Sequence, residues 1–126
     1  MQGFNINLEQ ETLDNSNFRK VLFTGEHSQL VVMSIAPKDD IGMEVHANID
    51  QFIRVEAGVG KAIIDADEFD LEDGSAVIVP AGADHNVINT SETEALKLYT
   101  VYSPAEHAPG TVHETKEDAL ADSHHH

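Results

Sequence analysis

Hydrophobic residues recur along most of the chain in short runs that turn residues separate. Eight such runs cover residues 18–24, 29–37, 50–57, 60–66, 68–72, 75–80, 85–89 and 95–103. They are rich in Val, Ile, Leu, Phe and Tyr, and glycine-containing turns such as Gly58–Gly60 and Asp73–Gly74 lie between them. Runs of about 5–8 residues with turn signals every 8–12 or so are typical of a β-sandwich or β-barrel. The pattern therefore predicts an all-β fold.

Several of these runs are apolar on both faces of the expected strand. Residues 31–36 read VVMSIA and residues 76–80 read AVIVP, without the alternation that a solvent-facing strand surface shows. A barrel whose outer face packs against a second copy explains this pattern simply. We therefore expect a homodimer.

The C-terminal part of the chain changes character. Residues 104–115 contain prolines and a glycine, which predicts a loop. The sequence of residues 116–122 predicts a short helix that Thr115 caps, with Asp118 three residues later. We interpret residues 1–126 as one domain, with a barrel core at about 18–103 and a C-terminal loop and helix at 104–122. The closing histidines 124–126 have the composition of a purification tag and receive no role.

Composition and charge narrow the classes of function. The 126 residues are 40% hydrophobic and 24% charged, as in an ordinary globular protein, and they contain no cysteine. The formal net charge of −16 and the absence of clustered Lys and Arg argue against nucleic acid and anionic membranes as partners. We expect a cytoplasmic protein.

The stretch from Gly74 to Asn89 carries the clearest motif. Five residues separate Gly74 from Pro80, one separates Pro80 from Gly82, two precede His85 and three precede Asn89. Pro80 and Gly82 predict a tight corner between two strands, after which His85 and Asn89 share one face of the next strand. This spacing resembles the second motif of the cupin superfamily at each fixed position. The resemblance extends over about residues 18–103, and within the superfamily the sequence is similar to small single-domain bacterial cupins. It implies a jelly-roll barrel (a double-stranded β-helix) with a short C-terminal helix.

A first cupin motif should lie upstream, with two histidines at i and i+2, then an acid, then a glycine. Counting back from Gly58 places Gln51 where the family usually has glutamate, His46 at the second histidine position and Glu44 at the first. An alternative register makes His46 the first histidine and Asn48 the second, but it leaves too few residues before Gln51. The resemblance thus implies a variant ligand set of Glu44, His46, Gln51 and His85.

This ligand set suits one divalent transition metal, either Fe, Mn, Ni, Co or Zn. Glu44 is a candidate ligand and also a candidate catalytic base beside a metal with three ligands. The resemblance implies a metalloenzyme that acts on a small oxygen-rich molecule by isomerase, lyase or dioxygenase chemistry. The alternatives are a non-catalytic module that binds a sugar or small acid, and a metal-free structural cupin.

Other polar and aromatic residues receive weaker assignments. Tyr99 and Tyr102 fall on opposite faces of one strand, so only one of them is expected to face the interior. Arg54 is expected to face away from Gln51 by the same parity. His107 and His113 lie in the C-terminal loop, where exposed histidines are the usual case, although a loop that closes the barrel mouth would bury them. We assign His27, in a turn, no role.

Overall fold

A computed structural model describes residues 2–122, which form nine strands and two helices over that range. The strands are β1 (Arg19–Thr24), β2 (Gln29–Ile35), β3 (Asp50–Ala57), β4 (Gly60–Ile64), β5 (Asp67–Leu71), β6 (Ala76–Val79), β7 (His85–Asn89), β8 (Leu96–Ser103) and β9 (Val112–His113). The helices are α1 (Leu8–Asp14) and α2 (Lys116–Ala121). All eight predicted strands are present within two residues of the expected ends. The closing histidines 124–126 lie outside the described residues.

The strands form two antiparallel sheets that face each other. The large sheet has the order β6-β3-β8-β2-β1-β9, and the small sheet has the order β5-β4-β7. Isolated bridges from Asp40 to Ile88 and from Glu44 to His85 extend the small sheet along the outer side of β7. Buried apolar side chains from both sheets, including Ile53, Leu98 and Val87, form the core between them. The arrangement is the jelly-roll barrel that the family resemblance implies.

The turn between β3 and β4 brings backbone unusually close to neighbouring strands. A Cβ atom at Gly60 would lie 2.5 Å from the carbonyl oxygen of Ile88, and one at Gly58 would lie 2.7 Å from that of Ala95. Gly58 also has a φ of +108°, which residues with a side chain rarely adopt. Glycine at these two positions therefore allows β4 to leave the large sheet and begin the small one.

Helix α1 is an element that the strand pattern does not predict. Asn7 caps it by accepting a hydrogen bond from the backbone N–H of Gln10, and Thr12 is its buried residue. The helix packs against the outer face of β8, β3 and β2. Outward-facing Val32 on β2 is 1% exposed and borders a groove that α1 helps to line. Part of the apolar outer surface that suggested a second copy is thus covered by the chain's own N-terminal segment.

The C-terminal segment returns to the barrel instead of extending into solvent. Strand β9 pairs with β1, and α2 begins with the predicted capping box of Thr115 and Asp118. The expectation of exposed loop histidines is wrong, because His107 and His113 are 6% and 5% exposed. Pairing of β9 buries His113, and hydrogen bonds with the Gln29 side chain, which both donates and accepts, hold the backbone around His107. Neither helix in residues 2–122 is long and apolar enough to cross a membrane.

Candidate metal centre

The corner after β6 carries the chain from the large sheet to the small one. Gly82 has a φ of +89°, and its backbone N–H donates to the carbonyl of His46 at 2.9 Å. The N–H of Ala83 closes the turn on the carbonyl of Pro80 at 3.1 Å. His85 then begins β7 with its side chain in the interior, 4% exposed. Asn89 shares this face as predicted, but its side-chain amide donates to the carbonyls of Ile35 and Glu94 and serves the fold.

Three of the predicted ligands converge in the space that this corner reaches. Glu44 and His85 exchange backbone hydrogen bonds of 2.8 and 2.9 Å, so their side chains start from directly opposed positions. His46, two residues after Glu44, projects to the same side. One ligand atom from each of Glu44, His46 and His85 lies within 4.8 Å of the other two. The structure therefore brings Glu44 and His46 together with His85, which lies about 40 residues further along the chain.

The hydrogen bonding of His85 fixes which ring nitrogen faces this space. Its Nδ1 lies 3.1 Å from the carbonyl oxygen of Ala83, which only accepts hydrogen bonds, so Nδ1 carries the proton. The buried Nε2 atom finds no hydrogen-bond partner within the described residues. Burial lowers the pKa of His85, which favours the neutral ring. A neutral imidazole with a buried lone pair is the form in which histidine binds metals.

His46 is oriented by a carboxylate on its other side. Its Nδ1 lies 2.5 Å from Glu106 Oε2, while its Nε2 lies 4.0 Å from Glu44 Oε1. Burial lowers the pKa of His46, but the hydrogen bond and charge of Glu106, together with the charge of Glu44, outweigh burial and raise the pKa above its ordinary value. The Nε2 atom of His46 thus faces the same space as Glu44 and His85.

Gln51 approaches the interior from the opposite sheet. It is 4% exposed on β3, next to Tyr102 of β8, whose ring centroid is 6.1 Å from that of His46. Its Nε2 donates to Thr100 Oγ1 at 3.0 Å, and its buried Oε1 has no hydrogen-bond partner among residues 2–122. Buried polar atoms without partners are rare in folded proteins. Gln51 Oε1 and His85 Nε2 therefore each present a lone pair to the interior that no described protein group uses.

Comparison with known proteins places this arrangement in a family. The sequence profile of the cupin domain matches residues 31–102, which is more than half of the chain. The chain belongs to the cupin family. This confirms the resemblance to the cupin family.

Individual relatives support the assignment. The chain is 48% identical over 124 residues to the uncharacterized protein YrkC of Bacillus subtilis, covering 94% of this chain and 66% of YrkC. It is 44% identical over 114 residues to the uncharacterized protein L612 of Acanthamoeba polyphaga mimivirus, covering 88% of this chain and 71% of L612. The crystal structure of BH2720 from Bacillus halodurans has 43% identity and a TM-score of 0.93, with 96% of each chain covered. The chain thus spans about two thirds of the length of the curated relatives and nearly all of BH2720.

Charged groups around this cupin site include two that sequence reasoning missed. Glu106 comes from the C-terminal loop, and Arg19 of β1 is fully buried, with its guanidinium donating to His113 Nδ1 at 3.3 Å. Burial raises the pKa of Glu44, against the opposing charges of His46 and Arg19. The parity of β1, which buries Arg19 with Val21, offered a signal for Arg19. No local signal identifies Glu106, since its position depends on how the loop folds back.

The aromatic and basic residues of the neighbouring strands follow the predicted parity. Tyr102 faces the interior, with its ring centroid 5.2 Å from that of His107, and burial raises its pKa. Tyr99 faces outward near Phe52, and Arg54 faces outward beside Glu56. Tyr102 is part of the buried core, and its ring also lies against His46 and His107.

Proposed function

We propose that this cupin holds one divalent transition metal with Glu44, His46, His85 and Gln51. The observation that carries the proposal is the convergence of the Glu44, His46 and His85 ligand atoms within 4.8 Å. The unpartnered Oε1 of Gln51 and Nε2 of His85 support it, because both are lone pairs buried without a hydrogen-bond donor among the described residues. Two imidazole nitrogens and two oxygens suit Fe, Mn, Ni, Co or Zn.

We further propose that the site acts on a small oxygen-rich molecule, by isomerase, lyase or dioxygenase chemistry. A bound divalent ion would supply Lewis acidity or, as Fe(II), the capacity to activate dioxygen. The chain's own residues exclude bulk water, since the side chains of Glu44, His46 and Glu106 are only 14%, 5% and 10% exposed. Glu44, whose pKa burial raises, is suited to accept and return a proton beside the metal if it is not itself a ligand.

Metal analysis of the chain without residues 124–126 tests this proposal. After incubation with a mixture of divalent metals and desalting, the wild-type chain should retain about one ion per chain, and His85→Ala should retain almost none. His27→Ala is the matched control, because His27 is exposed and pairs with Glu26 in a turn. Equal metal content in wild type and His85→Ala would contradict the proposed site. Full metal retention without turnover of any oxygen-rich substrate tested would favour the binding-module alternative.

The expected domain, dimer and location remain proposals. We propose that residues 1–126 form one cupin unit, supported by the C-terminal segment that packs back on β1 and β2.

We propose a homodimer through the outer face of the large sheet, where Ile78, Phe52, Val101 and Leu30 of adjacent strands form one apolar row. A two-fold axis across this uncharged row would place the same surface on both copies. A cytoplasmic location stays a prediction from the sequence.

A further inference from the structure

The C-terminal loop is fastened to the barrel at one point by the side chain of Gln29. Gln29 Oε1 accepts hydrogen bonds from the backbone N–H groups of Glu106 and His107 at 3.2 and 3.0 Å. Gln29 Nε2 donates to the carbonyl oxygen of His107 at 2.8 Å and to Thr24 Oγ1 at 2.9 Å. Gln29 is 1% exposed, so these bonds form away from competing water. The backbone at Glu106 is therefore held in a fixed position over the barrel interior.

From this fixed backbone the Glu106 side chain points toward the candidate metal centre. Its Oε2 lies 2.5 Å from His46 Nδ1, and the two side chains are 10% and 5% exposed. A carboxylate only accepts hydrogen bonds, so the Nδ1 atom of His46 carries the proton and the neutral ring has its lone pair on Nε2. That Nε2 atom is the one that lies 4.0 Å from Glu44 Oε1.

We propose that Glu106 is a positioning residue for His46, delivered by the C-terminal loop. It selects the tautomer of His46, holds the plane of the ring, and makes Nε2 a stronger electron-pair donor toward a metal. Histidines that bind metals commonly donate their other N–H to a carboxylate, and loss of that partner weakens metal binding by about 10–100-fold. The inference rests on the proposed metal site, and it makes the loop around residue 106 a functional part of that site.

The alternative is that Glu106 only closes the barrel mouth. Two features argue for positioning. First, a carboxylate at 10% exposure is costly to bury unless a charged or donor group compensates it, and His46 is the partner the structure supplies. Second, the bond goes to the nitrogen of His46 that faces away from Glu44 and leaves the other nitrogen available. Closure of the mouth alone would not require this selection.

Titration with Co²⁺ tests the proposal, because the visible absorption of Co²⁺ reports both affinity and ligand geometry. Glu106→Ala should weaken Co²⁺ binding roughly 10–100-fold. Glu106→Gln, which keeps an oxygen that can accept from Nδ1 but loses the charge, should recover part of that loss. Glu92→Ala is the matched control, since the Glu92 side chain is 81% exposed and pairs only loosely with Lys38 at 3.8 Å. Unchanged Co²⁺ affinity in folded Glu106→Ala would overturn the proposal.

A second measurement does not depend on metal. In the metal-free chain, ¹⁵N NMR of the imidazole nitrogens at alkaline pH should show His46 protonated on Nδ1, and Glu106→Ala should shift the proton toward Nε2. Glu106→Gln should preserve the Nδ1 tautomer, which a purely structural role would not require. A His46 tautomer that is the same in all three proteins overturns the positioning role. Failure of wild type to bind Co²⁺, with the tautomer shift still present, would instead contradict the metal site and leave the positioning of His46 supported.

Discussion

Gln51 of β3 and Thr100 of β8 are diagonal neighbours on the inner face of the large sheet, with Gln51 Nε2 donating to Thr100 Oγ1 at 3.0 Å. This bond orients the amide so that Oε1, buried and without a hydrogen-bond partner in the described range, is the atom presented to the interior. The hydroxyl of Thr100 thus binds the Nε2 end of Gln51, and Oε1 is the end left facing the interior. A strand partner outside the ligand set contributes to the chemistry of the site.

This relationship predicts opposite outcomes for single and double substitutions in metal-free protein. Thr100→Val should lower the free energy of unfolding by about 1–3 kcal/mol, because it leaves the buried Gln51 N–H groups without an acceptor. Gln51→Leu combined with Thr100→Val should return to within about 1 kcal/mol of wild type, since both polar partners are then replaced by apolar groups. Urea denaturation after chelator treatment measures both values. Thr90→Val, at an exposed position, is the control; a double variant less stable than Thr100→Val would contradict the argument.

The role of Glu44 is open to a separate test. If Glu44 is a ligand, Glu44→Gln should weaken Co²⁺ binding by more than roughly 100-fold, a larger loss than removal of a residue behind a ligand causes. The charge of a carboxylate contributes to holding a divalent ion in a way that an amide does not. Isothermal titration calorimetry measures the affinity, with Glu26→Gln in an exposed turn as control. Retained affinity with loss of turnover would instead make Glu44 the catalytic base.

Acid should weaken the attachment of α2 through the pair formed by Asp40 and Lys116. Lys116 Nζ donates to Asp40 Oδ1 at 2.6 Å, and this hydrogen bond is the largest cause that lowers the pKa of Asp40. The pKa of an unfolded aspartate is about 3.9, so the pair stabilises the fold above that pH. This stabilisation is lost as the pH falls through the lower pKa of folded Asp40. Lys116→Met should therefore make stability fall less steeply below about pH 4.

Urea denaturation at a series of acid pH values measures how steeply the free energy of unfolding falls with pH. The control is Lys61→Met, which removes a lysine from a partly exposed pair with Glu68 on the small sheet. Exposed pairs contribute little, so its profile should stay parallel to wild type. Parallel profiles for Lys116→Met and wild type would show that the pair does not set the acid response.

The proposed dimer rests on the apolar row that crosses the outer face of the large sheet. Ile78 on β6 is 65% exposed and lies beside Phe52 of β3, while Val101 continues the row on β8. Ile78→Asp would place a charge in this contact and should convert a dimer to a monomer, as measured by light scattering on a sizing column. Val59→Asp, in the turn between β3 and β4, changes an apolar side chain of 49% exposure and should leave the assembly unchanged. A wild-type monomer at every concentration tested would contradict the dimer.

The strands were predictable because their physical signal is local. Side-chain alternation in β3 and β8 predicts that Arg54 faces away from Gln51 and that Tyr99 and Tyr102 face opposite ways, as the structure confirms. Helix α1 was not predictable in the same way. It has seven residues, its sequence is mainly polar, and its stability comes from packing on strands that lie far along the chain.

The residues of the candidate site also differ in whether a local sequence signal identifies them. His46, His85 and Glu44 were found by fixed spacings within strands and corners, and the structure brings these three residues together. Glu106 reaches His46 only because Gln29 fixes a loop 77 residues further along the chain. Residues 106 and 107 read as exposed loop residues from composition, and their burial depends on contacts that no short window of sequence contains.

The candidate ligands come from both sheets, with Gln51 on the large sheet and His85 on the small one. An ion bound to both would act as a cross-link between the two layers. Because such an ion binds the folded form and not the unfolded chain, its affinity should appear directly as an increase in melting temperature. Thermal melting can then rank metals, and afterwards oxygen-rich compounds that bind with the metal, before any reaction is known. Because the candidate ligands lie on both sheets, thermal stability can identify the ligand without an activity assay.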